Sequence, residues 1–93
     1  MKKGTWVYEI TLALQKLGMG NDKEIVDNIA KRGNIDPYKI ANAEEVVRAT
    51  IQAYCKDFKR YNSNNPSIFK QVSRGCYSLD EDYKKKDMLG ILE

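Results

Sequence analysis

At 93 residues the chain has room for one compact domain around one hydrophobic core, and not for two. Hydrophobic residues at 42% and charged residues at 31% exclude a disordered chain, and no apolar run approaches the roughly 18 residues of a membrane-spanning helix. The net charge of +3 is too small to mark a nucleic-acid binder by itself, and two cysteines without any histidine make no four-ligand zinc site unless carboxylates or a second chain are recruited.

The N-terminal residues lead into a periodic helix rather than a signal-peptide core, so the expected location is cytoplasmic, or nuclear in a eukaryote. Trp6, Ile10, Ala13, Leu14 and Leu17 recur at helical spacing and predict a helix to Leu17, with Thr5 as N-cap and Gly18 as stop. Met19 to Asp22 is a short break. Asn21-x-x-Glu24 is a capping box opening a second helix, which buries Ile25, Val26 and Ile29 and ends at Arg32-Gly33. Asp36-Pro37 marks a connecting loop with Ile35 and Ile40 as apolar anchors.

A second box, Asn42-x-x-Glu45, predicts the longest helix, running to about Arg60 and burying Val47, Ile51, Tyr54, Cys55 and Phe58. The stretch from Asn62 to Pro66 turns the chain. Ser67–Val72 and Cys76–Leu79, joined by Ser73-Arg74-Gly75, then predict a two-stranded hairpin whose Phe69, Tyr77 and Leu79 pack on the helices. Residues 81–93 read as a charged tail or linker, in which Lys84, Lys85 and Lys86 follow three acids and are read as self-compensating.

The resulting order is α+β, mainly α: a winged helix-turn-helix over residues 1–80, three helices followed by a hairpin wing. Certain pieces carry a family resemblance: Trp6-x-x-x-Ile10 with Leu14-x-x-Leu17-Gly18, then Lys23-Glu24-Ile25, then Val47-Arg48-Ala49-Thr50-Ile51-Gln52, and Ile68-Phe69 followed by Val72-x-x-Gly75-x-Tyr77-x-Leu79. In combination the chain resembles the HARE-HTH winged-helix family of restriction endonucleases, ASX-like chromatin proteins and the RNA polymerase delta subunit. That resemblance implies DNA binding in restriction or transcription, or a protein-binding role in transcription or chromatin.

On the expected third helix Arg48, Gln52, Lys56 and Lys59 share a flank beside the buried arc, with Val46, Ala49 and Ala53 as a low strip beyond it. Arg48 and Gln52 are candidate base readers, since arginine pairs with guanine and glutamine with adenine in the major groove. Lys56 and Lys59 suit phosphates, as do Lys70 and Arg74 on the wing, while Asn42 could cap the helix and leave its amides facing a phosphate. The same residues are also ordinary on any solvated helix, and Glu44 and Glu45 put negative charge at the end that would approach DNA. The competing expectation is a protein-interaction module using the same strip. Without histidine, a phosphate-binding glycine loop or a metal constellation, an enzyme is not expected, nor a cofactor or a small-molecule substrate. Cys55 and Cys76 read as small apolar side chains in a reducing compartment.

Overall fold

Helix α1 (Trp6–Leu17) starts and stops where the sequence signals lie. The Thr5 hydroxyl accepts the Tyr8 amide at 3.4 Å, and the Gly18 amide donates to the Leu14 carbonyl at 2.8 Å. Helix α2 (Asp22–Arg32) opens with the complete capping box: Asn21 Oδ1 accepts the Glu24 amide at 2.8 Å and Glu24 Oε1 accepts the Asn21 amide at 3.0 Å. It ends at Gly33 in the left-handed region, which glycine enters without a Cβ penalty. The structure, a computed structural model, describes residues 5–81 and 83.

Helix α3 begins at Ala43, directly after Asn42 as expected, but it ends early, covering only Ala43–Ala53, and its start is built differently. The second capping box does not form. A capping residue needs extended backbone, as at Asn21 (φ −88°, ψ 175°), but a 3₁₀ turn at Pro37–Lys39 delivers the chain to Asn42 at φ 65°, ψ 34°, where its side chain makes no cap bond. Asparagine is among the few residues that tolerate this region. Of the two loop anchors, Ile35 packs on the core but Ile40 is 38% exposed.

At the other end, returning chain satisfies the helix's last carbonyls. The Ala53 carbonyl accepts from the Asn62 amide at 3.3 Å and from Asn65 Nδ2 at 3.1 Å; the Tyr54 carbonyl accepts from the Ile68 amide at 2.8 Å and the Phe69 amide at 3.2 Å. Those donors end α3 seven residues before Arg60. Cys55 is nonetheless fully buried and Tyr54 and Phe58 pack on the core, so the expected burial survives without the expected helix.

The expected two-stranded hairpin is part of a three-stranded antiparallel sheet. β1 (Met19–Gly20) falls in the segment read as a break; β2 (Phe69–Ser73) and β3 (Cys76–Leu79) follow, in the order β1-β3-β2. Met19 pairs with Ser78 and Gly20 with Tyr77; Phe69 pairs with Leu79 and Gln71 with Tyr77, with an irregularity before Ser73 and a turn at Gly75, φ 75°. A Cβ on Gly20 would meet Leu17 Cδ1 at 3.3 Å, so the close approach of β1 to α1 favours glycine there. Phe69, Tyr77 and Leu79 alternate inward onto Ile10, Leu14, Ile25, Ile29, Val47, Ile51 and Ile68, forming one core beneath three helices. The outer edge of β2 is covered by the Phe69 amide, which donates to the Tyr54 carbonyl, and by the Gln71 amide, which donates to Asp57 Oδ2 at 3.3 Å.

Candidate nucleic-acid interface

The side of α3 away from the core carries Glu45 and Ala49, both exposed, flanked by the half-buried Arg48 and Gln52. These four line a depression of about 270 Å³ together with Arg60. The Arg48 guanidinium is paired with the Asp22 carboxylate in the first turn of α2, so one of its donors is engaged.

The expected row from Arg48 to Lys59 is broken. Because α3 stops at Ala53, Lys56 and Lys59 lie beyond it rather than on its flank. Lys56 lines a separate charged cleft with Asp57, Lys70, Asp80 and Glu81, its Nζ 3.7 Å from Asp80 Oδ2. Lys59 is exposed and lines neither site. Arg74 is exposed in the turn between β2 and β3. Asn42 opens onto a third groove, with Lys23, Asp27, Pro37, Ile40 and Glu44. Thus Arg48 and Gln52 come together, while Asn42, Lys56, Lys70 and Arg74 do not join them. Lys84, Lys85 and Lys86 lie outside the described residues.

Two features carry little signal in the sequence. Arg60, expected at the end of a helix, lies instead on the loop after α3 and lines the depression with Gln52. Glu9, at 0% exposure in α1, pairs with Arg32 Nη2 at 3.0 Å and accepts from Asn34 Nδ2 at 3.2 Å, while Arg32 also donates to Asn28 and to the Glu9 carbonyl. This network ties α1 to the end of α2; its one visible signal is a carboxylate next to the apolar stripe, adjacent to Ile10.

Burial pushes the Cys55 thiol and the Tyr77 phenol up from their ordinary values, with the neighbouring Asp57 carboxylate adding to the effect at Cys55 and Asp22 at Tyr77. Cys55 therefore stays a neutral thiol at neutral pH, unsuited to nucleophilic chemistry. Among the described residues no group of three or more His, Cys, Asp or Glu is placed to hold a metal ion, and no helix is long and apolar enough to cross a membrane. No protein-family model, curated protein or solved structure matches the chain.

Proposed function

We propose that the chain is a winged-helix domain that binds duplex DNA, with α3 in the major groove and the β2–β3 hairpin along the backbone or minor groove. The observation that carries the reading is the surface of α3, where arginine and glutamine donors flank the small side chain of Ala49 in one depression. That combination lets a helix approach base edges closely and offers them hydrogen bonds. The order of three helices and a hairpin, with the hairpin anchored on the core by Phe69, Tyr77 and Leu79, supports the same reading. The resemblance to the HARE-HTH family extends the proposal to a role as the DNA-recognition part of a restriction or transcription-related protein.

Charge sets the character of the binding. Between residues 5 and 81 there are eleven lysines and arginines against ten aspartates and glutamates, so the net positive charge comes mostly from Lys2 and Lys3. A nearly neutral body binds through base contacts with few phosphates neutralised, and its affinity depends only moderately on salt. Fluorescence anisotropy against duplex DNA, single-stranded DNA and RNA at two salt concentrations tests this. Duplex binding weakened by Arg48→Ala and by Arg74→Ala is expected; no binding to any of the three at low salt defeats the reading.

A second reading has its own support. Arg48 is engaged by Asp22, Lys56 by Asp80, and Glu45 lines the same depression, a compensation of charge that suits a protein partner on the Val46, Ala49 and Ala53 strip. Failure to bind nucleic acid would favour this module.

A further inference from the structure

We infer that Arg60, on the loop after α3, is a phosphate anchor that fixes the position of α3 on duplex DNA; the inference rests on the DNA-binding reading. Among the described residues the other arginines near the helices carry ion pairs: Arg32 with Glu9, and Arg48, through one of its nitrogens, with Asp22. Arg60 makes no ion pair among the described residues and is exposed, yet it lines the same depression as Arg48, Ala49 and Gln52. Its guanidinium keeps all its donors for an outside acceptor.

The loop holds this cation in place. The Tyr61 amide donates to the Phe58 carbonyl at 3.1 Å, the Tyr61 hydroxyl to the Asn65 carbonyl at 2.7 Å, and the Asn62 amide to the Ala53 carbonyl at 3.3 Å. Arg60 therefore stands between bonded residues at the C-terminal end of α3, and not on a loose strand of chain. A helix C-terminus ordinarily repels an anion through its unsatisfied carbonyls. Here the Ile51 carbonyl accepts from the Tyr54 amide, and the Ala53 and Tyr54 carbonyls are each taken by two donors, which weakens that repulsion. At the opposite end Glu44 and Glu45 lie in the first turn of α3 and repel phosphate from the place where a helix would normally attract it. The distribution of charge thus moves the phosphate contact from the start of α3 to Arg60, leaving Glu45, Arg48 and Gln52 to face base edges, where a glutamate accepts from cytosine as an arginine donates to guanine.

The test is a salt titration of the full chain and of Arg60→Ala, Arg60→Lys and Arg48→Ala on a panel of duplexes differing in sequence. Arg60→Ala is expected to weaken binding about five- to tenfold at about 0.1 M salt, equally across the panel, and to reduce the salt slope by about 0.9, the signature of one lost phosphate contact. Arg60→Lys restores the slope, Arg48→Ala instead changes the ranking of the duplexes, and the thermal midpoint of Arg60→Ala is unchanged. Duplex binding by the full chain with Arg60→Ala unaltered in affinity and slope overturns the inference while leaving the reading intact. A changed ranking in Arg60→Ala also overturns it, by making Arg60 a base contact. No duplex binding by the full chain overturns both.

Discussion

Glu9 and Arg32 illustrate how one side chain can hold two helices in register. The carboxylate is fully buried and the guanidinium largely so, and breaking such a pair leaves an uncompensated charge in the interior. Glu9→Gln is expected to destabilise the protein by about 2–3 kcal/mol, lowering the melting temperature by about 10 °C or more, as circular dichroism would record. Replacing both partners with apolar residues of similar volume should cost less than either single change. Cys55 and Tyr77 give a prediction in pH. Each is charged only when deprotonated, with ordinary values of 9.0 and 10.0, and burial raises both in the folded state. The unfolded chain therefore loses these protons first as pH rises. The stability they contribute is complete below about pH 9 and is lost as pH climbs through the folded-state values. Urea midpoints should fall as pH rises above about 9, and Cys55→Ala should flatten the lower part of that fall.

At the level of the element, two identical motifs with different outcomes separate local from tertiary control. Asn-x-x-Glu occurs at Asn21 and at Asn42, and only the first makes the reciprocal bonds. Asn21→Ala is expected to cost about 1 kcal/mol through the lost cap. Asn42→Gly should be neutral or stabilising by a few tenths of a kcal/mol, because it relieves a left-handed asparagine and removes no cap bond. Chemical denaturation of the two variants side by side checks the contrast; a loss of about 1 kcal/mol at both would mean that Asn42 caps α3 after all. The same distinction explains why the ends of α1 and α2 were legible: their caps lie within four residues in sequence. The end of α3 was not, because its terminating donors come from Asn62, Asn65, Ile68 and Phe69.

For the whole molecule, a single core joins three helices to the sheet, and Phe69 is its largest fully buried side chain. Phe69→Ala is expected to cost about 3–5 kcal/mol and to lower unfolding midpoints measured on helix and on aromatic signals by the same amount, since helices and sheet share the residue's contacts. Separate transitions for the two signals would show that the sheet is an independent unit.

The order of amino acids alone specifies what depends on short-range pattern and on apolar periodicity: α1, α2, the start of β3, the turn at Gly75 and the inward face of Phe69, Tyr77 and Leu79. It also brought Arg48 and Gln52 to one surface, because residues four apart on a helix share a side whatever surrounds it. Tertiary structure decided the rest. A two-residue strand has no readable period, so β1 exists only through its pairing with β3. The length of α3 depended on where the chain returned to meet its carbonyls, and that one choice removed Lys56 and Lys59 from the helix and brought Arg60 to it. Charge pairing was decided in the same way, since the Asp22 partner of Arg48 and the Asp80 partner of Lys56 lie 26 and 24 residues away along the chain, beyond the reach of any local pattern.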